Sequence, residues 1–519
     1  MRPSFQNEPT FDFGNPATVA AFQSALDAVR GKLGAEYPMW IGGKAQTASK
    51  TFASTSPADP ATVIGVFPSG DASTAAEAIG AATAAFPAWK KVPPEERANY
   101  LFALAGSIRK RRMELCAWLV WEVGKSWDEA DGEVAECVDL VEYYALQMLE
   151  YAGTQTARLG RLPNESSDFF YIPLGAGVII SPWNFPLALS FGPACGAIVA
   201  GNTVVLKPAS NTPTAVSIFA QMIRETGFPD GVFNLVTGSG AALGNALVDD
   251  PRTRFVGFTG SMEVGIAIHE RAAKVHPGQI WLKRVVLEMG GKNAVIVDSE
   301  ADIDAAAEGA AFAGFSFQGQ KCSAGSRVII DESVYDEFME KYLKHVSVLK
   351  VGDPVTDVNI NVGPVIDASA HRTVLKYLEI GKNEATLLTG GSAAGDKGYF
   401  VQPTVFGNVS PTATIAQEEI FGPVTACIKA KDFTHALEIA NSTKFGLTGA
   451  VFSRNRQKLE IARHEFHTGN LYFNRKCTGA MMGVHPFGGF NMSGTDSKAG
   501  GPDYLLLFLQ GKSIGDRLF

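Results

Sequence analysis

A chain of 519 residues is too long for one hydrophobic core, so two or three domains are expected. Hydrophobic residues make up 46% and charged residues 19%, the balance of a compact globular protein, which excludes a wholly disordered chain. The net charge of −8, with no long basic stripe, argues against a nucleic-acid binder.

The N-terminal residues Met1 to Glu8 have no apolar stretch and carry an early acid, so no secretory signal is expected. Residues 17–33 pattern as an amphipathic helix, and 38–67 as a β-hairpin or irregular segment rich in Gly, Thr, Ser and Pro. Asp71 opens an Ala-rich helix to about Lys90. Pro93-Pro94-Glu95-Glu96 starts another, with proline and acids in its first turn. Helical periodicity then runs to about Tyr151, broken near Gly124, and the short basic run Arg109-Lys110-Arg111-Arg112 within it reads as a solvated helix face. Phe169 to Leu206 carries no charge, but prolines and glycines interrupt it. A buried strand–loop–helix–strand unit fits it better than a membrane span.

From residue 175 strand and helix alternate. Apolar runs fall at 176–180, 203–206, 232–236 and 254–258, with helical patterns at 187–200, 213–226, 240–248 and 261–273. That is a βαβαβ rhythm, for which a doubly wound nucleotide-binding domain is the natural candidate. Gly238 opens a glycine cluster, Gly238-Ser239-Gly240-Ala241-Ala242-Leu243-Gly244, that misses the dinucleotide fingerprint by one residue and equally reads as a tight strand-to-helix turn. A second α/β block runs from about 286 to 475. The tail carries a strand-like run, Tyr504-Leu505-Leu506-Leu507-Phe508-Leu509, expected as a paired strand at an oligomer contact. The six cysteines form no Cys-x-x-Cys pair and no histidines stand at zinc spacing, so reduced thiols in a cytoplasmic compartment and no metal are expected.

One cysteine differs from the rest. Cys322 lies among small and polar residues in Phe317-Gln318-Gly319-Gln320-Lys321-Cys322-Ser323-Ala324-Gly325-Ser326-Arg327, between a predicted helix and strand, where a nucleophilic thiol is placed rather than a packing residue. Glu288 ends a strand before two glycines, either as a general base whose pKa partial burial raises or as a surface acid at a turn. Asn184 follows a strand carboxyl end, either as an oxyanion-hole donor or in an Asx-turn before Pro186. Ser261 opens a helix, so it is an N-cap, a pyrophosphate contact, or both.

Taken together and in order, the cysteine loop, Ser181-Pro182-Trp183-Asn184-Phe185-Pro186, Leu206-Lys207-Pro208-Ala209-Ser210, Phe258-Thr259-Gly260-Ser261, Leu287-Glu288-Met289-Gly290-Gly291-Lys292, Glu418-Glu419-Ile420-Phe421-Gly422-Pro423 and Pro486-Phe487-Gly488-Gly489-Phe490 resemble the aldehyde dehydrogenase superfamily across nearly the whole chain. Phe255 to Gly265, Phe317 to Arg327, Tyr377 to Glu384 and Phe466 to Arg475 resemble its Δ1-pyrroline-5-carboxylate dehydrogenase family more closely.

The superfamily resemblance implies an α/β fold: a Rossmann-like NAD-binding domain (1–153 and 173–285), an α/β catalytic domain (286–477) and a small β oligomerisation flap (154–172 and 500–519). It implies Cys322 as nucleophile, Glu288 as base and Asn184 in the oxyanion hole. It puts Lys207 on the adenosine ribose, Ser261 at the pyrophosphate, Glu419 on the nicotinamide ribose and Phe421 beside that ring. Glu419 and Phe421 otherwise read as a solvated acid and a core residue. Ser210 stands where many NAD-specific relatives carry glutamate, which keeps NADP open as a second cofactor beside NAD.

The closer resemblance implies oxidation of L-glutamate γ-semialdehyde to L-glutamate, the second step of proline oxidation. Its substrate contacts would be Ser323, Gly479 and Ala480 for the α-carboxylate, Glu136 for the ammonium, and Phe185 and Phe487 as aromatic walls. Glu136 equally reads as one more charge on an acidic helix. The length leaves no room for a fused flavin domain, so a separate proline dehydrogenase would supply the substrate, and a homo-oligomer of two or more subunits is expected. The competing readings are a dehydrogenase for another semialdehyde or an aliphatic aldehyde, and an inactive scaffold relative.

Overall fold

The computed structural model describes residues 5–518 apart from 156, 158 and 161. The start of the leader reading (Met1 to Ser4), three positions of the 154–172 flap and Phe519 lie outside the described residues.

The N-terminal third is mostly helical. Asn15 caps Pro16–Arg30, and Asp71 caps Ala72–Trp89 through a capping box with Thr74. Pro94–Lys110 starts with Glu95 and Glu96 and ends with Arg109 and Lys110, matching the helix dipole at both ends. Arg112–Val123 stops at Gly124, which is left-handed at φ 72°. Trp127–Tyr151 follows and is buried along most of its length.

Two seven-stranded sheets carry the rest. The first runs Arg284–Glu288, Phe255–Thr259, Ala176–Ile180, Thr203–Lys207 and Phe233–Leu235 in parallel, then Met39–Ile41 and Lys44–Gln46 antiparallel. Ala176–Ile180 has later strands on both sides, so the sheet's switch point lies between the carboxyl ends Ile180 and Thr259. Ligands of open parallel sheets bind at such a point. The strand Arg284–Glu288 belongs to this first sheet, so it crosses the domain boundary expected at 285/286. The second sheet orders Thr386–Thr389, Thr404–Gly407, Val424–Ala430, Arg327–Asp331, Ala294–Val297, Thr448–Phe452 and Asn470–Phe473, parallel except for the first pair. Its central strands Ala294–Val297 and Arg327–Asp331 are buried throughout, which is why they read as continuous apolar runs.

The tail differs from expectation. Tyr504–Phe508 is a short 3₁₀ turn, not a strand, with Tyr504, Leu505 and Phe508 buried in the core. Tyr504 stacks on Tyr144 at 5.0 Å and Phe508 meets Phe255 edge-on at 5.2 Å. Arg284 Nη1 donates to the carbonyls of Leu506, Leu507 and Leu509. Aromatic partners and the half-buried Arg284 guanidinium override the β-propensity of the run. The terminal strand begins one step later: Leu509–Arg517 pairs antiparallel with Glu165–Pro173 as an isolated two-stranded ribbon. The helix expected at 240–248 opens with a π-turn, Gly240–Gly244, before Asn245–Asp249. Among the described residues no helix is long and apolar enough to cross a membrane.

Candidate active site

The cysteine loop is held from both sides. After Ile303–Phe315 the backbone turns sharply, with Phe317 and Gln318 at φ 48° and 58°. Left-handed conformations cost free energy in non-glycine residues and persist where the surroundings impose them. Here Gln318 Nε2 donates to the carbonyls of Gly124 (2.8 Å) and Pro364 (3.0 Å). Beyond the loop, Asn293 Nδ2 donates to the carbonyls of Cys322 (2.7 Å) and Ala324 (2.8 Å). The glycine pair after Glu288 lets these parts approach: a Cβ on Gly291 would meet the Cys322 carbonyl at 2.4 Å, and one on Gly290 would meet the Glu419 carboxylate at 2.3 Å.

Among the described residues Cys322 is the one cysteine that is not buried. Desolvation pushes its thiol up to about 12, reinforced by the charges of Glu288 and Glu419. It therefore rests protonated and needs a base before it can attack.

Glu288 supplies a carboxyl at the same cavity. Burial pushes it up to about 8, against the pull of hydrogen bonds from Ser497. The Ser497 hydroxyl donates to Oε1 at 2.6 Å, while Oε2 is buried without a partner among the described residues. A carboxyl that titrates near neutral pH with one oxygen uncommitted is suited to take and return a proton.

Asn184 is buried, and its Nδ2 donates to the carbonyl of Gln320 at 3.0 Å. The amide nitrogen carries two N–H groups, so this tie to the cysteine loop leaves a second one for another acceptor.

The cofactor candidates surround the switch point. Lys207 ends its strand nearly fully buried, and desolvation lowers it to about 8. Its Nζ donates to the carbonyl of Pro208 at 2.9 Å. Ser210 and Gly238 are brought together, the hydroxyl donating to the glycine carbonyl at 3.2 Å. Ser261 caps Met262–Ala273, accepting from Val264 N. Glu419 is not a solvated acid: Oε1 accepts from Gly291 N at 2.8 Å, and burial pushes the carboxyl up to about 7. Phe421 sits at φ 58° and meets Trp183 edge-on at 5.5 Å.

A cavity of about 450 Å³ runs from the switch-point residues Ile180 and Thr259 past Cys322 and Glu288 to the other end of the site. Ser323, Gly479, Ala480, Glu136, Phe185 and Phe487 all border it. Arg475 Nη2 donates to the carbonyls of Thr478 and Gly479, fixing that turn, and Gly479 is left-handed at φ 76°. Among the described residues the N–H groups of Gly479 and Ala480 and the hydroxyl of Ser323 meet no acceptor. The Glu136 carboxyl is pushed up to about 7 by burial first and by neighbouring Glu133 second.

Several residues that shape the site were not singled out by the sequence. Lys125 and Glu133 form a fully buried ion pair at 2.7 Å. The ammonium lies 3.6 Å from the Phe185 ring centroid and 4.3 Å from that of Phe317, so it fixes an aromatic wall of the cavity. Glu133 Oε1 also accepts from the N–H groups of Leu187 and Ala188 at the start of Ala188–Val199. Lys321 pairs with Glu129 at 2.7 Å beside the nucleophile. Ser497 is more than two hundred positions from the carboxylate it holds. Adjacency to Cys322 was a usable hint for Lys321; nothing local pointed to Lys125 or Ser497.

The profile of the Aldehyde dehydrogenase family matches residues 44–514. The chain belongs to the aldehyde dehydrogenase family. It is 54% identical over 512 residues to a 1-pyrroline-5-carboxylate dehydrogenase of Geobacillus sp. (strain WCH70), covering 99% of each. The structure of a 1-pyrroline-5-carboxylate dehydrogenase from Thermus with bound NAD superimposes with a TM-score of 0.97, at 47% identity and 99% coverage of both chains. Proline utilization A from Bdellovibrio bacteriovorus superimposes with the same TM-score at 41% identity, with 99% of this chain covering 53% of that one. The fold and enzyme class expected from the motifs therefore hold.

Proposed function

We propose that this family member oxidises L-glutamate γ-semialdehyde to L-glutamate with NAD, the second step of proline breakdown. The observation that carries the reading is a single cavity with a thiol and a carboxyl at its centre and matched polar groups at one end. Cys322 adds to the aldehyde carbon, and its proton passes to Glu288. The oxygen of the resulting thiohemiacetal is met by the second Asn184 amide N–H. The bound dinucleotide supplies one thing, a hydride acceptor. Glu288 sheds that proton to solvent and then takes one from water, whose oxygen cleaves the Cys322 thioester; the acid is released and Glu288 returns its proton to the departing thiolate. The net change is aldehyde and water to carboxylic acid, with two electrons leaving as hydride and one proton released to solvent.

The residues fit a dinucleotide. Lys207 is a buried ammonium with N–H groups beyond the one given to Pro208, suited to ribose hydroxyls. Glycine at 290 leaves room for the Glu419 carboxylate, which would take the second ribose. Ser261 and Gly238 offer helix-start and turn backbone to phosphates, and Phe421 would flank the nicotinamide. Ser210 places no negative charge near the first ribose, which leaves NADP usable as a second cofactor.

At the far end, the unpartnered N–H groups of Gly479 and Ala480 with the Ser323 hydroxyl receive the α-carboxylate. Glu136 faces the ammonium, and Phe185 and Phe487 line the same cavity. The close relatives that carry the name 1-pyrroline-5-carboxylate dehydrogenase support this substrate. Homo-oligomerisation through the ribbon of Glu165–Pro173 and Leu509–Arg517, supply of substrate by a separate proline dehydrogenase, and a cytoplasmic setting complete the reading.

The test is NADH formation. Turnover with glutamate semialdehyde at far higher kcat/KM than with succinic semialdehyde is expected. Preference for succinic semialdehyde would assign another substrate, and no turnover with any aldehyde would point to a scaffold role.

A further inference from the structure

The segment before the first helix is tied into the cavity. Asn7, Glu8 and Thr10 border it together with Glu136 and Gly479. They lie outside the part matched by the family profile, which begins at residue 44. Asn7 Nδ2 donates to Asp139 Oδ2 at 2.9 Å and to the carbonyl of Met482 at 3.1 Å. Asp139 lies three residues beyond Glu136 on Trp127–Tyr151, so the two carboxylates share a helix face. Met482 is two residues beyond Ala480. One side chain thus bridges the helix bearing the acid to the loop bearing the N–H donors.

A second contact repeats the bridge. The Phe5 ring meets Tyr143 edge-on at 5.1 Å, and a Cβ on Gly483 would meet both rings at 3.1 Å. The segment is anchored behind these contacts. Glu8 N donates to Asp139 Oδ1 at 2.6 Å and Phe11 N to Asp131 Oδ2 at 2.6 Å. The Glu8 carboxylate pairs with Arg109 at 2.8 Å and with Arg112 at 3.4 Å.

We infer that Phe5 and Asn7 form a clamp that sets the spacing between Glu136 and the Gly479–Ala480 turn, making the N-terminal segment a specificity-determining part of the site. The inference rests on the glutamate-semialdehyde reading for the ligand whose two charged groups span that gap. Phe5 and Asn7 are positioning residues: they act through Asp139, Met482 and Gly483, away from the reacting atoms. An aldehyde without an amino-acid end does not use the gap and is indifferent to the clamp.

The experiment compares Asn7→Ala and Phe5→Ala with the unaltered enzyme on glutamate semialdehyde and on propanal. Binding of L-glutamate is measured by calorimetry alongside. Losing the charge-assisted hydrogen bond to Asp139 is expected to raise KM for glutamate semialdehyde, and the Kd of L-glutamate, on the order of tenfold in Asn7→Ala. kcat with glutamate semialdehyde and kcat/KM with propanal should stay near their original values. Equal losses on both aldehydes, or an unchanged KM and Kd for the amino-acid ligands, would overturn the clamp. If Asn7→Ala fails to fold, Phe5→Ala carries the same comparison. If the unaltered enzyme neither oxidises glutamate semialdehyde nor binds L-glutamate, the substrate reading falls and the clamp with it. Turnover of glutamate semialdehyde with unmoved variants defeats the clamp alone.

Discussion

Replacing Ser497 by alanine removes the hydroxyl that donates to Glu288 Oε1 at 2.6 Å, while Oε2 has no partner among the described residues to compensate. Burial holds the Glu288 carboxyl up at about 8, and the Ser497 hydrogen bonds pull it down. A donor favours the charged form, so its loss raises the pKa. A hydrogen bond to a charged group contributes about 1.5–3 kcal/mol and one pKa unit is about 1.4 kcal/mol, so the variant's carboxyl should titrate roughly one to two pH units higher. The base form needed for thioester hydrolysis is the carboxylate, which grows as pH rises through the pKa. Near neutral pH the rate should therefore fall about tenfold for each unit of upward displacement. The assay is single-turnover decay of a preformed acyl-enzyme from about pH 6 to pH 10, where the acid limb reports the pKa of the base. Decay in Glu288→Gln supplies the background to subtract. The expected result is an alkaline displacement of the limb with a similar plateau. An unmoved midpoint, or a uniform loss at every pH, would refute the assignment of Ser497 as the group that sets the charge of Glu288.

Two further substitutions probe other parts of the site. Ser210→Glu places a carboxylate beside the first ribose subsite, and kcat/KM with NADP relative to NAD should fall at least about tenfold, equivalent to ~1.4 kcal/mol; an unchanged ratio would remove Ser210 from cofactor choice. Lys125→Met leaves Glu133 buried with only the N–H groups of Leu187 and Ala188, and should cost about 3–5 kcal/mol of stability in urea unfolding. Adding Glu133→Gln should recover part of that loss, and equal destabilisation of the single and double variants would argue against a buried charge as the cause.

Local chemistry made much of the fold readable. The capping residues Asn15 and Asp71, the Pro93-Pro94-Glu95 start and the left-handed Gly124 each act within one turn, so the sequence around them suffices. The parallel strands were legible because burial on both faces leaves continuous apolar runs. Tyr504 to Leu509 misled for the same reason: an apolar run looks alike in a strand and in a buried turn, and its state was decided by Tyr144, Phe255 and Arg284, each far away in the chain. In the site, Cys322 stood out by its polar setting. The left-handed backbone of Phe317 and Gln318, by contrast, depends on carbonyls of Gly124 and Pro364 that no local pattern announces. Glu419 read equally well as a solvated acid because its partner, Gly291 N, is 128 residues away.

The buried turn at Tyr504–Phe508 has a consequence for how the protein comes into being. Tyr504 borders the same cavity as Cys322, and Asn202 Nδ2, just before the strand Thr203–Lys207, reaches the Phe508 carbonyl at 3.0 Å. During synthesis every residue assigned to the chemistry leaves the ribosome before this turn does. Until it does, the apolar surfaces of Tyr144 and Phe255 that pack against Tyr504 and Phe508 lack their cover. Such exposed surface favours association between chains. Tyr504, far from Cys322 in sequence, thus adds a wall to the cavity after the residues assigned to the chemistry have been made.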